Sequence, residues 1–221
     1  MPLRSVVVTP DVVDTMAVAA TLRSMAPDGV RTGARLIDVR DTAGLFPVEA
    51  AAVERAVDRR RHEFASGRAL LRQLLGADVP IPVRGDRSPR LPDGVAGSLA
   101  HDAGLAVAAV SSDRRIVALG IDVEPLGAPL DAEMAAVVLR PDEAGLDARL
   151  AFTLKEAVYK AWSRSGGELI DFHAVRLTIE GDCFRGEVVA AARCFEGRCA
   201  AAAGRWLALV TVGAVARRDQ P

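Results

Sequence analysis

Two short segments concentrate the acidic and basic side chains that could carry out chemistry. Residues 120–124, GIDVE, contain two carboxylates, and residues 152–162, FTLKEAVYKAW, contain a third carboxylate and two lysines. Carboxylate oxygens are the ligands that Mg²⁺ prefers, and lysine ammonium groups neutralise phosphate. Together the two segments predict a magnesium-dependent transferase with a phosphate-bearing substrate.

The first segment is predicted to lie on a strand. Residues 116–124 are mostly β-branched or apolar and are followed by a proline. Residues two apart on a strand share a face, so Asp122 and Glu124 point one way while Ile121 and Val123 point toward a core. Carboxylates about 6–7 Å apart repel each other if half-buried, and a hard cation would relieve that repulsion. Taken alone, the pair is explained more simply by an edge strand with a polar outer face.

The second segment is predicted to lie on a helix. Apolar residues recur every four positions, at Leu146, Leu150, Leu154, Val158 and Trp162. This row predicts that the helix starts before Leu146, at Asp142 or Pro141. Glu156 would then lie mid-helix with a free carboxylate, and not in a capping box with Thr153. A solvated Glu156 paired with Lys160 is equally compatible with the sequence.

A long, arginine-rich helix is predicted from Pro47 to Leu75, closed by Gly76. Its apolar face is expected to comprise Val53, Val57, Phe64, Leu71 and Leu74. Arg60 and Arg68 are two turns apart on the other face and could hold one polyanion through paired hydrogen bonds. A solvated charged face is the alternative explanation.

The remaining segments carry less chemistry. Residues 80–94 form a loop rich in proline and glycine that holds Arg84, Arg87 and Arg90. His101 follows, and a lone histidine is more often structural than a ligand. Other predicted elements are a helix at 11–25, a turn at 163–167 and strands at 36–39, 105–110, 175–179, 184–189 and 206–215.

These motifs resemble a known family. GIDVEP followed by FTLKEAVYKAW is similar to the paired signature of 4′-phosphopantetheinyl transferases, in the Sfp-type branch that includes enterobactin synthase component D. Residues 59–75 resemble the arginine-bearing helix of this family, residues 83–101 its loop and SxxH segment, and residues 204–206 its GRW motif. The resemblance covers most of the chain from about residue 45 onward.

The resemblance implies an α+β fold of two similar lobes, related by a pseudo-twofold axis, with the active site in the cleft between them. Residues 1–112 would form the N-terminal lobe that grips coenzyme A. Residues 113–221 would form the C-terminal lobe that binds magnesium and carries the catalytic motifs.

The resemblance also implies a reaction. A serine of an apo acyl or peptidyl carrier protein would attack coenzyme A, giving the holo-carrier protein and adenosine 3′,5′-bisphosphate. Glu156 and Lys160 would be catalytic, and Mg²⁺ would be held by Asp122, Glu124 and Glu156, with Glu156 as metal ligand, general base or both. The residues expected to contact coenzyme A are Arg60, Arg68, Arg84, Ala100, His101, Asp122, Lys155 and Lys160. Ala100 stands where the family commonly has Ser or Thr, so a hydroxyl contact to phosphate would be missing.

Composition excludes several other classes of protein. A net charge of −1 and an aromatic content of 4% argue against a nucleic-acid binder, which usually displays a basic surface with stacking residues. No apolar run is long enough for a signal peptide or a membrane span, so a cytoplasmic protein without a membrane partner is expected. The family resemblance implies a monomer. The alternative function is a catalytically silent relative that binds coenzyme A or a carrier protein.

Overall fold

Two antiparallel β-sheets form the framework of the computed structural model, which describes residues 13–127 and 129–214. The first sheet has three strands in the order β1-β3-β2, with β1 at Arg31–Leu36, β2 at Ala96–Asp102 and β3 at Leu105–Ser111. The second has five strands in the order β4-β8-β7-β6-β5, with β4 at Ile116–Pro125, β5 at Val175–Glu180, β6 at Cys183–Val188, β7 at Arg193–Ala202 and β8 at Arg205–Gly213.

One long helix covers each sheet. The helices are α1 at Thr15–Met25, α2 at Pro47–Ala52, α3 at Asp58–Leu75, α4 at Ala132–Val138 and α5 at Ala148–Arg164. Short 3₁₀ turns lie at Val39–Gly44, Pro141–Glu143, Phe172–Ala174 and Val189–Ala191. Helix α3 packs on the first sheet and α5 on the second, while α1 contacts both sheets. None of the helices in residues 13–127 and 129–214 combines the length and apolarity that a membrane span requires.

Burial divides the interior into three apolar clusters. One lies between α3 and the first sheet, and another lies between α5 and the second sheet. The third joins the lobes, because it combines α1 with residues of both sheets, among them Val107 of β3, Ile121 of β4 and Leu209 of β8. The predicted α+β fold with two lobes is confirmed. The lobes share a plan, a long helix on an antiparallel sheet, and differ in their number of strands.

Strand β4 uses its two faces for different purposes. Ile121 and Val123 are buried in the cluster between the sheets, as predicted from the alternation. The opposite face, which carries Gly120 and Asp122, is turned toward α5, where a Cβ on Gly120 would lie 1.9 Å from the carbonyl oxygen of Ala157. The missing side chain at Gly120 therefore lets α5 approach the strand closely.

The predicted helix from Pro47 to Leu75 is wrong as a single element. Helix α2 ends at Ala52, and α3 begins at Asp58 after Val57, which adopts an extended backbone with φ −63° and ψ 153°. Val57 is 73% exposed and does not belong to the apolar face. The start at Pro47 and the left-handed Gly76 after the end are as predicted.

The predicted start of the helix that carries Glu156 is also wrong. Helix α5 begins at Ala148, because the Asp147 side chain caps it by accepting a hydrogen bond from the Leu150 amide at 2.8 Å. Pro141 and Asp142 belong to a separate 3₁₀ turn. The apolar row continues into Leu146 only because that residue packs on the same core from outside the helix.

The strand predictions differ in quality. Strands β3, β5, β6 and β8 match predictions to within a residue or two, although Val215 and residues 11–12 lie outside the described residues. The strand predicted at 36–39 is wrong, since β1 ends at Leu36 and a 3₁₀ turn begins at Val39. Strand β7 was not predicted.

Replacing Gly120 with Ala is expected to lower the free energy of unfolding by about 3 kcal/mol or more, because the new Cβ meets backbone that no rotamer change can move. Gly145→Ala is the matched control, since a Cβ there has nothing within 4 Å. We expect the control to change stability by less than about 0.5 kcal/mol. Chemical denaturation measures both values, and a Gly120→Ala variant as stable as the parent would contradict the close packing of α5 on β4.

Candidate active site

A cleft between the lobes collects most of the polar side chains that the sequence singled out. Helix α3, strand β2, the loop before β2 and helix α5 form its walls. The polar and charged side chains that line it are Arg60, Arg68, Asp86, Arg87, Ser88, Ser98, His101, Glu156, Tyr159, Lys160, Ser163 and Arg164. The cleft therefore draws residues from both lobes.

Lys160 lines this cleft and forms an ion pair with the carboxylate of Asp122. The Lys160 ammonium donates hydrogen bonds to Asp122 Oδ1 at 2.6 Å and to the carbonyl oxygen of Ile121 at 3.1 Å. Lys160 sits one turn after Ala157, the residue whose backbone lies against Gly120. The close approach of α5 to β4 thus places the lysine next to the carboxylate, and the pair links residues 120–124 to residues 152–162.

Asp122 is an unusual carboxylate because it is only 5% exposed. Its pKa is raised to about 7, mainly by burial; the charges of Glu156 and Glu124 act in the same direction, and Lys160 opposes the shift. Its second oxygen, Oδ2, is buried and has no hydrogen-bond partner among the described residues. Since the folded protein holds this proton more tightly than the unfolded chain, stability should fall as the pH rises from the ordinary aspartate pKa to about 7.

Glu124 lies at the end of the same face of β4. Arg149 of α5 donates a hydrogen bond to its Oε2 at 2.8 Å. Burial raises the pKa of Glu124, as does the nearby charge of Asp102, while Arg149 lowers it. In three dimensions α5 supplies one cation to each carboxylate, Lys160 to Asp122 and Arg149 to Glu124.

The carboxylates at this site are suitable ligands for a divalent cation, but they are not arranged as a complete metal site. The unpartnered Oδ2 of Asp122 is a free ligand atom, and Glu156 is near enough for its charge to raise the pKa of Asp122. Within residues 13–127 and 129–214, however, no three acidic, histidine or cysteine side chains are gathered closely enough to hold a metal. Carboxylate oxygens are the type of ligand that Mg²⁺ accepts, and Asp122 offers one that has no partner among the described residues.

The opposite wall of the cleft is basic. Arg60 of α3 lies 2.7 Å from His101, between its Nη1 and the ring Nε2. Burial lowers the pKa of His101, and the positive charges of Arg60 and Lys160 lower it further, although Glu63 opposes them. His101 is therefore neutral at neutral pH, and the positive charge at this point of the wall comes from Arg60.

Arg68 lines the cleft from a buried position. It is 2% exposed, its Nε donates a hydrogen bond to the Ile81 carbonyl at 2.7 Å, and its guanidinium lies 4.1 Å from the centre of the Phe64 ring. Burial lowers its pKa to about 10, which still leaves it charged at neutral pH. Arg68 thus has a structural function as well as a place in the cleft.

Three expected contacts to coenzyme A are not supported by these positions. The buried Lys155 ammonium is held by Glu143 at 2.6 Å and by two backbone carbonyls, so it does not reach the cleft. Ala100 packs in the cluster between the sheets, on the face of β2 opposite to His101, so a hydroxyl there would not point toward a phosphate. Arg84 is exposed and does not line the cleft.

Sequence reasoning missed several residues of the site. Arg87, in the same loop as Arg84, lines the cleft and adopts a left-handed backbone with φ +66°. Tyr159 also lines it, one turn after Glu156, and the i,i+3 spacing could have indicated this. Arg164 of α5 pairs with Asp86 of the loop across the two lobes. The sequence offered no signal for that pair.

Two family models match this chain. Residues 48–111 match the 4′-phosphopantetheinyl transferase N-terminal domain, and residues 118–183 match the 4′-phosphopantetheinyl transferase superfamily. The chain is 40% identical over 198 residues to 4′-phosphopantetheinyl transferase Svp of Streptomyces mobaraensis, covering 78% of this chain and 80% of the relative. It is 30% identical over 171 residues to 4′-phosphopantetheinyl transferase Npt of Nocardia iowensis, covering 72% and 77%. Enterobactin synthase component D of Salmonella typhimurium is 36% identical over 119 residues, covering 48% and 49%.

Replacing Lys155 with Met is expected to lower the free energy of unfolding by about 3 kcal/mol, because the buried Glu143 carboxylate would lose its cation. The double variant Lys155→Met, Glu143→Gln should be more stable than the single variant, since it carries no unpaired buried charge. Chemical denaturation compares the two. A Lys155→Met variant with unchanged stability would show that the pair is not structural.

Proposed function

This chain belongs to the 4′-phosphopantetheinyl transferase superfamily, and we propose from that membership that it modifies carrier proteins. It transfers the 4′-phosphopantetheine group of coenzyme A to a serine of an apo acyl or peptidyl carrier protein. The products are the holo-carrier protein and adenosine 3′,5′-bisphosphate. The observation that carries the proposal is a single cleft in which Glu156 and Lys160 of one lobe face Arg60 and His101 of the other.

The basic wall of the cleft is suited to the phosphates of coenzyme A. Arg60, Arg68 and Arg87 line it together, and guanidinium groups bind phosphate oxygens through paired hydrogen bonds. His101 holds Arg60 at 2.7 Å and so fixes where that guanidinium lies. We assign coenzyme A to this wall, with Arg87 in the role that the sequence had suggested for Arg84.

The transfer step moves one phosphoryl group. The serine oxygen forms a bond to the phosphorus that carries pantetheine, and the bond from this phosphorus to the bridging oxygen breaks. The serine proton goes to a base, for which Glu156 is placed because it is half-buried and lines the cleft. Lys160 lines the same wall and can neutralise charge on the departing oxygen.

We also propose that the reaction depends on Mg²⁺ held by Asp122 with Glu124 and Glu156. The support is the buried Oδ2 of Asp122, which has no partner among the described residues while Oδ1 is held by Lys160. When bound, magnesium stabilises the charge that develops on the pyrophosphate. Glu156 serves as metal ligand, general base or both, and either role uses the same carboxylate.

Further parts of the proposal concern the protein as a whole. We propose residues 1–112 and 113–221 as the two lobes, a monomer as the working state and the cytoplasm as its location. The carrier proteins are those of fatty acid, polyketide or non-ribosomal peptide synthases. Nucleic acids and membranes are not proposed as partners.

Intact-mass spectrometry of an apo carrier protein incubated with this protein, coenzyme A and Mg²⁺ tests the function. We expect a mass gain of one phosphopantetheine, abolished by a chelator, and a rate lowered by about 100-fold or more in Glu156→Gln, which keeps the shape of the side chain but loses the base. Glu133→Gln on the exposed side of α4 is the matched control and should react normally. Coenzyme A binding without any mass gain across several carrier types would indicate a catalytically silent relative.

A further inference from the structure

One acidic side chain, that of Glu63, lies beside the arginine-lined wall of the cleft and has no role in the proposed transfer step. Glu63 of α3 is 16% exposed at its side chain, and its Oε2 lies 3.5 Å from His101 Nδ1. It also lies 3.6 Å from Arg60 and 3.4 Å from the outward-facing Arg59. An acid beside a phosphate-binding wall opposes anion binding, so its presence requires a reason.

The contacts of His101 define which ring nitrogen carries the proton. A guanidinium can only donate hydrogen bonds, so Nε2 of His101, 2.7 Å from Arg60 Nη1, must be the acceptor. In a neutral imidazole the proton is then on Nδ1. Nδ1 faces the Glu63 carboxylate, whose negative charge favours a proton at that position.

We propose that Glu63 is a positioning residue, which fixes His101 in its Nδ1–H tautomer so that Nε2 holds Arg60 in place for the phosphates of coenzyme A. Glu63 acts through His101 and Arg60 and touches no substrate itself. If the ring instead carried its proton on Nε2, two N–H donors would face each other and Arg60 would lose this anchor. The inference rests on the proposed function for its ligand, and on the contacts of the free protein for its mechanism.

The competing explanation is that Glu63 only stabilises its own helix. It forms an i,i+4 pair with Arg59, and such pairs contribute little to stability. Arg59→Ala removes this pair and leaves the contacts to His101 and Arg60 intact. Arg59→Ala is therefore the matched control for every variant of Glu63.

The tautomer can be measured without coenzyme A. Long-range ¹H–¹⁵N correlation spectra at about pH 8, where histidine is neutral, report which nitrogen carries the proton, and His101→Asn assigns the signal among the three histidines. We expect the Nδ1–H form in the parent, in Arg59→Ala and in Glu63→Gln, whose amide oxygen is able to accept a hydrogen bond from Nδ1. Glu63→Leu removes the carboxylate whose charge favours a proton on Nδ1 and should populate the Nε2–H form. A single Nδ1–H tautomer in Glu63→Leu would overturn the proposal.

Kinetics of carrier modification provide the second arm. We expect Glu63→Leu to raise KM for coenzyme A by about 10-fold with kcat changed by less than about 3-fold, and Glu63→Gln to restore KM to within about 3-fold of the parent. An Arg59→Ala variant with the same rise in KM would assign the effect to the helix and contradict our proposal. A parent protein that transfers nothing would contradict the proposed function, and the tautomer measurement would then decide the role of Glu63 by itself.

Discussion

The close approach of helix α5 to strand β4 at Gly120 is the constraint on which the site depends. A glycine at this position lets the Ala157 carbonyl lie where any other residue would place its Cβ. One turn further along α5, Lys160 reaches Asp122 and the Ile121 carbonyl. The other face of β4 is buried between the sheets, so the strand cannot rotate to relieve a poorer contact. Packing in the core therefore determines where the Asp122 carboxylate and the Lys160 ammonium meet.

Ion pairs between the lobes hold the cleft that results. Arg205 of the GRW motif donates to Asp102 at 3.3 Å and to the Ala103 carbonyl at 3.1 Å, which ties the start of β8 to the turn after β2. Arg164 and Asp86 pair elsewhere across the two lobes. Ser98 of β2 accepts a hydrogen bond from the Ile121 amide at 3.1 Å and links the two sheets directly. The two walls of the cleft are thus held in a fixed relation.

The sequence was sufficient to predict features that follow from local periodicity or from the family motifs. The alternation on β4, the mid-helix position of Glu156 and the family itself are confirmed. Contacts between segments distant in the sequence could not be predicted. Nothing in the sequence indicates that Lys155 is neutralised by Glu143 or that Lys160 pairs with Asp122. Strand β7 was missed because its buried residues Phe195 and Cys199 are separated by two charged residues and a glycine. Whether each expected residue contacts coenzyme A stays a prediction.

Asp122 is a buried carboxylate that its surroundings keep at the edge of ionisation. The most direct test is a ¹³C NMR titration of the Asp122 carboxyl, assigned with Asp122→Asn, in the presence and absence of Mg²⁺. We predict a pKa of about 7 without the metal and a lower pKa when Mg²⁺ is added, because a cation favours the ionised form. An ordinary aspartate pKa in the metal-free protein would contradict the proposed environment of Asp122. A titration that does not respond to Mg²⁺ would contradict its proposed role as a metal ligand.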